Sequence, residues 1–337
     1  MKRIVITRHG GPEVLQVQES PDPKPRAGEV LIRVKAAGLN FADVLARKGL
    51  YPDAPATPCT VGYEVAGVVE AVGSAAEESW LQQDVIALTR FNGQSDAVVV
   101  PVSQVFAKPA GLSFELAASI PVNYLTAWQL LVAMGGLQAH ESVLIHNAGG
   151  GVGLAALDIA VHVGATTLGT ASPGKHAFLR ERGLQHPIDY RTGDWGPVVQ
   201  RITQGKGVDL ITDPIGGSHF RKSYRHLRST GRLGMFGIST VADGLGGKLA
   251  LVKMALQTPL FHPFGLMNSN KGVFGVNMGH LWHEQEKVRL WTDAILKGYA
   301  EGWVRPHVDR VFRFEQAADA HRHMENRGNT GKVVLVP

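Results

Sequence analysis

The segment Ser142–Gly153, SVLIHNAGGGVG, decides the fold. Its opening residues, Ser142–His146, form a short apolar run of the kind that makes a buried strand. They lead directly into Asn147-Ala148-Gly149-Gly150-Gly151-Val152-Gly153, and Val152–Val163 then reads as a helix. Strand, glycine turn, helix is the order a dinucleotide site needs, because it brings backbone close to a pyrophosphate at a helix N-terminus, where negative charge is favoured. In the usual fingerprint Ala148 replaces the first glycine, while Gly150 and Gly153 fill the second and third places. Alone, such a turn could equally be a tight bend that binds nothing. Its setting gives it weight.

Downstream, apolar strands alternate with helical patterns. Strands are expected at Thr166–Thr170, His186–Tyr190, Val208–Asp213, Arg232–Gly237 and Gly272–Asn277, with helices near Lys175–Arg182 and Trp195–Thr203. Repeated β-α-β units predict a doubly wound parallel sheet covered by helices on both faces. The second strand selects the cofactor. An NAD site wants Asp or Glu about 20 residues beyond the turn, accepting from the ribose 2′-hydroxyl. Here the strand ends in Thr170-Ala171-Ser172-Pro173-Gly174-Lys175, without a carboxylate. A serine hydroxyl and a lysine ammonium would bind a 2′-phosphate that a carboxylate would repel. The expected cofactor is therefore NADPH. Lys175 also reads as an ordinary exposed helix lysine.

Upstream the texture is different. Lys2–Thr7, Glu29–Ala37, Val61–Val72, Asp84–Thr89 and Ala97–Val102 are Val- and Ile-rich strands punctuated by Gly, Pro and Asp, a pattern that suggests a barrel-like β domain. Pro21–Arg26 is too proline-rich for regular structure. Ser113 can cap a short helix, and Pro121 can start another running through Tyr124, Trp128, Leu131 and Met134. Leu249–Met267, apolar and interrupted by Pro259 and Pro263, reads as a broken helix serving packing, an oligomer contact or an apolar wall. The chain closes with a long helix near Trp282–Glu301, a strand at Val308–Phe314, a helix at Glu315–Asn326 and a strand at Lys332–Pro337.

Composition narrows the function. A length of 337 residues suggests about two domains. Apolar residues at 44% and charged ones at 19% exclude wholesale disorder. One cysteine, Cys59, excludes an internal disulfide and a cysteine-rich zinc cluster. The 34 Lys and Arg against 29 Asp and Glu give a formal charge of +5, a mildly basic surface that leaves room for peripheral contact with an acidic membrane. No run of like charges or interleaved aromatics suggests nucleic acid. No stretch of about 18 apolar residues suggests a transmembrane segment, and the start has no apolar signal core, so a soluble cytoplasmic protein is expected. Fourteen histidines include no H-E-x-x-H or Cys/His array, and His321 and His323 would face different sides of a helix, so no metal site is expected. No G-x-S-x-G or P-loop motif is present.

Taken together, Gly10–Leu15 (GGPEVL), Gly38–Tyr51 (GLNFADVLARKGLY), Gly62–Gly73 (GYEVAGVVEAVG), the glycine turn, His186–Tyr190 (HPIDY), Asp213–Gly217 (DPIGG) and Gly331–Pro337 (GKVVLVP) span the whole chain. In these stretches it resembles the zinc-independent medium-chain dehydrogenases/reductases of the quinone oxidoreductase branch, closest to the VAT-1-like group. The resemblance implies an α/β protein with a GroES-like β domain from residues 1–119 and 280–337 around a Rossmann domain from residues 120–279, the substrate lying in the cleft between them. It implies dimerisation by edge pairing at Gly272–Asn277. In the zinc enzymes of the superfamily a Cys and a His bind the metal; those places hold Asn40 and Tyr63 here. Without a Lewis acid, a quinone or enone is a more plausible substrate than an unactivated alcohol.

Carried over residue by residue, the cofactor's pyrophosphate would meet Gly150, Gly151 and Val152, and its 2′-phosphate Ser172, Lys175 and Tyr190. Gly217 would lie near the ribose, and Phe236, Gly237, Ile238, Phe274, Gly275 and Val276 would edge the nicotinamide. Asn40, Tyr51 and Thr126 would orient the nicotinamide or the substrate carbonyl. Leu45 stands where quinone reductases often carry a tyrosine, which favours a greasier substrate. Bland readings accompany these roles: Tyr51 as a loop-packing aromatic, Asn40 as a turn stabiliser, Asp43 as a helix residue, Glu64 as the partner of a buried base. The implied activity is an NADPH:quinone oxidoreductase or enone reductase. Two alternatives are an NADPH-binding, lipid-handling protein with little turnover and a 2-enoyl thioester reductase.

Overall fold

The computed structural model describes residues 1–241 and 247–337. Two compact units emerge: Met1–Leu125 with Gly279–Ala300 and Pro306–Pro337, and Thr126–Met278 with Glu301–Arg305.

In the first unit the strands are β1 (Lys2–Ile6), β2 (Leu15–Glu19), β3 (Glu29–Leu39), β4 (Glu64–Val72), β5 (Asp84–Leu88), β6 (Ala97–Pro101) and β7 (Val105–Ala107), with helix α1 (Phe41–Arg47) after β3 and α2 (Phe114–Ala117) and α3 (Pro121–Trp128) after β7. β1 and β2 form an antiparallel ribbon. The Gln-rich β2 buries little, so it lacks the apolar run that would mark it in the sequence. The long β3 organises the rest, pairing antiparallel with β4 and with β6. Its alternating Val and Ile side chains put Val30, Ile32 and Val34 into one core with Val65, Val69, Val85, Val98 and Val100. Ser113 caps α2 as expected, its hydroxyl accepting from the Leu116 N–H.

The second unit begins within α3, at Thr126, and α3 then runs on into a wider turn, in which the Met134 N–H reaches the Gln129 carbonyl. One continuous α-helix through Met134 was the expectation; a π-type turn replaces its last part. The helical stretch Phe114–Ala133 is long and apolar enough to cross a bilayer, with mean hydropathy 1.3, but 72% of it is buried, as befits core packing. Six strands follow: β8 (Ser142–Ile145), β9 (Thr166–Ala171), β10 (His186–Asp189), β11 (Val208–Asp213), β12 (Leu227–Met235) and β13 (Gly272–Gly275). Between them lie α4 (Gly151–Val163), α5 (His176–Glu181), α6 (Trp195–Ile202), α7 (Ser218–Arg225), α8 (Gly247–Gln257) and α9 (Pro263–Ser269). All six strands are parallel, in the order β10-β9-β8-β11-β12-β13. That is the doubly wound order 3-2-1-4-5-6. Every residue of β11 is buried, as a strand covered on both faces requires. The segment between Gln257 and Pro263 breaks the apolar helix as Pro259 and Pro263 predict.

The chain returns to the first unit through α10 (Gln285–Ala300), β14 (Val308–Arg313), α11 (Ala317–Glu325) and β15 (Lys332–Val336). β15 pairs antiparallel with the end of β3 and parallel with β14, so the last residues of the chain complete a sheet begun by the first forty.

Candidate dinucleotide and carbonyl sites

β8 delivers the chain to the glycine turn at the carboxyl edge of the parallel sheet. Asn147 adopts a left-handed conformation (φ 55°), which asparagine tolerates better than most side chains. The Ala148 N–H donates to the Thr170 carbonyl at 3.0 Å, tying the turn to β9. Helix α4 starts so close beneath it that a Cβ on Gly153 would lie 2.2 Å from the Asn147 carbonyl oxygen. Only glycine permits this approach. The first N–H groups of α4 have no partner within the helix, and the helix dipole adds positive potential there.

The other expected cofactor residues follow the ends of neighbouring strands. In the β9–β10 pairing Ala171 stands opposite Asp189, so the next residues, Ser172 and Tyr190, leave the sheet side by side. Lys175 folds back over the turn: a Cβ on Gly149 would sit 2.7 Å from Lys175 Cδ. The adjacent carboxylate, Asp189, is turned onto its own loop, accepting from the Thr192 hydroxyl and the Arg191 N–H. The Thr192 bond holds it below the usual carboxylate range. Gly217 has φ 58° at the start of α7, and Gly216 (φ 93°) packs against Ile238. Phe236 is held by its N–H to the Asp213 carbonyl, and Val276 by its N–H to that of Met235. Phe274 and Gly275 end β13. The structure thus gathers Gly150, Gly151, Val152, Ser172, Lys175, Tyr190, Gly217, Phe236, Gly237, Ile238, Phe274, Gly275 and Val276 at one edge of one sheet. A phosphorylated dinucleotide fits this donor set: backbone N–H groups at a helix start, a hydroxyl, a phenol and an ammonium.

Beneath the turn runs a polar network that chain spacing does not reveal. The Trp195 indole N–H donates to His219 Nε2 at 3.2 Å, so the His219 proton sits on Nδ1, 2.6 Å from Asp213 Oδ2. The Ser223 hydroxyl donates to the same oxygen at 2.6 Å. His146 bridges Ser223 at 3.3 Å and the Thr170 hydroxyl at 3.0 Å, and that hydroxyl accepts from the Asn147 N–H. Burial pushes the His146 imidazole down to about 3, so it works as a neutral bridge. Burial alone would raise the Asp213 carboxyl, but the His219 hydrogen bond and the flanking imidazoles hold it below its ordinary value. Ligand atoms of His146, Asp213 and His219 lie within 4.8 Å of one another, each already engaged in the network.

In the first unit Asn40 caps α1, and the Asp43 carboxylate closes a capping box on the Asn40 N–H at 2.8 Å. Asp43 also accepts from the Gly62 N–H. It is fully buried, and burial pushes it up to about 7 despite these bonds. The Asn40 amide is engaged at both ends: its Nδ2 donates to Glu64 Oε1 at 3.0 Å, and its Oδ1 accepts from Lys332 Nζ at 2.7 Å. Lys332 also bonds Glu64 directly, and Glu64 Oε2 accepts from the Val122 N–H at 2.7 Å. Glu64 therefore has the buried base its strand position suggested. Tyr51 meets Tyr63 edge-on, with ring centroids 6.1 Å apart. Thr126 is buried on α3 in the other unit. The Asn40 amide and the Glu64 carboxylate are committed to each other and to Lys332, Asp43 is held by the Asn40 and Gly62 N–H groups, and burial keeps the Tyr63 phenol protonated, so the residues around Asn40 and Tyr63 do not fit zinc.

Such a fold, with a glycine turn and its anion-binding donors at the sheet edge, defines a dinucleotide-dependent dehydrogenase or reductase. The family descriptions agree: residues 26–111 match an alcohol dehydrogenase GroES-like domain and residues 182–335 a zinc-binding dehydrogenase. The human synaptic vesicle membrane protein VAT-1 homolog is 39% identical over 345 residues, covering 100% of this chain and 86% of the relative. Among solved structures, a Pseudomonas syringae quinone oxidoreductase superposes with TM-score 0.87 at 30% identity, covering 100% of this chain and 99% of that one. A mycobacterial protein solved as its NADPH complex gives 0.87 at 29%, covering 100% of both. The chain belongs to the medium-chain dehydrogenase/reductase family, in its VAT-1-like branch, and is an oxidoreductase.

Proposed function

We propose that the chain is an NADPH-dependent, zinc-independent reductase of quinones or α,β-unsaturated carbonyls. The observation that carries this reading is the edge of β9, where Ser172 and Lys175 stand beside the glycine turn and no carboxylate takes the place that selects NAD. NADPH, when bound, supplies a hydride from its nicotinamide. The chain's own residues supply position and charge. Gly150, Gly151 and Val152 offer backbone N–H groups to a pyrophosphate, and Ser172, Lys175 and Tyr190 grip the 2′-phosphate. The strand-end segments Phe236–Ile238 and Phe274–Val276 form the wall that orients the nicotinamide. Asn40, with its amide committed to Glu64 and Lys332, is a fixed element of the first unit; Tyr51 in that unit and Thr126 in the other each carry a hydroxyl able to hydrogen-bond the nicotinamide or a carbonyl oxygen.

The relative solved with NADPH and the quinone oxidoreductase of similar fold support the same reading. An outer strand, β13, lies at the end of the sheet order and offers an edge for pairing with a second copy. A panel of quinones and enones, followed by loss of NADPH absorbance, tests the proposal; inertness towards all of them refutes catalysis of this kind. Tight NADPH binding without turnover would instead favour the lipid-handling alternative.

A further inference from the structure

The polar network beneath the glycine turn admits one consistent arrangement of protons. Burial alone would raise the Asp213 carboxyl, but the hydrogen bond from His219 holds it below its ordinary value, so it is ionised and only accepts. The Ser223 hydroxyl, 2.6 Å from Asp213 Oδ2, must therefore give its proton there. Ser223 then accepts from His146, which places the His146 proton on Nε2. That leaves His146 Nδ1 as an acceptor, and the Thr170 hydroxyl at 3.0 Å donates to it. With its proton spent, the Thr170 oxygen accepts from the Asn147 N–H at 3.3 Å. Four hydrogen bonds thus run in one direction, from the first peptide of the glycine turn to a buried anion.

Thr170, His146, Ser223 and Asp213 are all buried. The His146 ring is wedged edge-on to Trp195 at 4.8 Å and to His219 at 4.6 Å, so it cannot turn to other partners. In so dry a setting each bond polarises the next, and loss of one member leaves a buried donor or acceptor unpaired. The two ends of the relay hold two different loops. At one end, Asn147 takes its left-handed conformation (φ 55°) and its carbonyl accepts from the Gly150 N–H at 2.9 Å. The bond to Thr170 therefore fixes the peptide from which the turn starts. At the other end, Asp213 Oδ1 accepts from the Ile215 N–H at 2.8 Å, which orders the loop through the left-handed Gly216 and Gly217. That loop in turn carries the segment after β12, since the Asp213 carbonyl accepts from the Phe236 N–H and the Pro214 carbonyl from the Ser239 N–H.

We propose that Thr170, His146, Ser223 and Asp213 are positioning residues for NADPH: their relay locks the glycine turn to the Asp213–Gly217 loop, so that backbone meeting the pyrophosphate and backbone meeting the ribose and nicotinamide are set at one separation before the cofactor arrives. The four act through the backbone they hold. Ordering paid for in folding is not paid again on binding, so a locked pair of loops binds more tightly than a loose one. This rests on the reading of the turn as the NADPH site and adds the residues that pre-organise it.

A double-mutant cycle across His146 tests the relay. NADPH dissociation constants are measured by nicotinamide fluorescence on the full chain, its Thr170→Val and Ser223→Ala variants and the double variant, with melting temperatures of the cofactor-free proteins alongside. Each single change should weaken NADPH about tenfold. The double variant should be no worse than about tenfold, because a relay broken once has nothing further to lose. Thr170→Ser keeps the hydroxyl and drops the buried methyl, so it should lower the melting temperature yet bind NADPH as the parent does. If Ser223→Ala does not fold, the contrast between Thr170→Val and Thr170→Ser decides alone. Single effects that multiply to about a hundredfold, unchanged affinity in either single variant, or equal weakening by Thr170→Ser and Thr170→Val overturns the relay. Any of these in a chain that still binds NADPH leaves the cofactor reading intact. A parent chain without affinity for NADPH overturns that reading, and the relay with it.

Discussion

Reversing one charge at the end of β9 should convert the cofactor preference. Lys175 lies with its stem against Gly149, so its ammonium is held beside the turn instead of sweeping through solvent. A charge-assisted hydrogen bond from such a group to a phosphate contributes about 1.5–3 kcal/mol. Lys175→Glu removes it and adds like-charge repulsion across a half-buried site. A loss of at least about 2 kcal/mol follows, or roughly thirtyfold in NADPH affinity. NADH has no 2′-phosphate, so its affinity should change by less than about threefold. The measurement is a pair of dissociation constants, for NADPH and NADH, on the parent chain, Lys175→Glu and the neutral Lys175→Gln, with nicotinamide fluorescence as readout. The neutral variant should fall between the other two for NADPH alone. Equal weakening of both cofactors would refute the assignment of Lys175 to the 2′-phosphate.

Gly153→Ala should cost about 1–3 kcal/mol and weaken NADPH binding, since its Cβ would meet the Asn147 carbonyl at 2.2 Å; Gly174→Ala, with open space around it, should do neither, and urea titrations of both variants check this. Lys332→Met should lose about 3–5 kcal/mol in the same assay, because Glu64 would be left buried without its cation. Asp43 gives a pH signature. Its folded carboxyl, raised to about 7, holds a proton that the unfolded chain releases near 3.8. Its contribution is therefore fully present below about pH 4 and lost as pH rises towards 7, with a slope of up to about 1.4 kcal/mol per pH unit. Stability followed from pH 4 to 8 should show this decline, and Asp43→Asn should flatten it; a variant with an unchanged slope would assign the titration elsewhere.

Much of the nucleotide side was legible in the chain. SVLIH, the glycine turn and the missing carboxylate after β9 are local features, and parallel strands bury both faces, so they appear as continuous apolar runs that periodicity detects. The polar β2 and the π-type turn after α3 escaped this reading, since neither has a distinctive pattern of its own. The Trp195–His219–Asp213–Ser223–His146 network draws on four separate segments, and only His219 and Ser223 share one.

By itself the sequence determined the class of fold, most of its strands along the chain and the charge type offered to a phosphate. These depend on neighbours a few residues apart, where hydrogen-bond geometry and helix or strand period act directly. Only the tertiary structure decided that Lys332 from the last strand neutralises Glu64 from the fourth and that Asn40 is consumed in holding both. Burial and pairing of polar groups belong to the whole packed unit, because desolvation is set by every segment that covers a side chain, however far along the chain it lies.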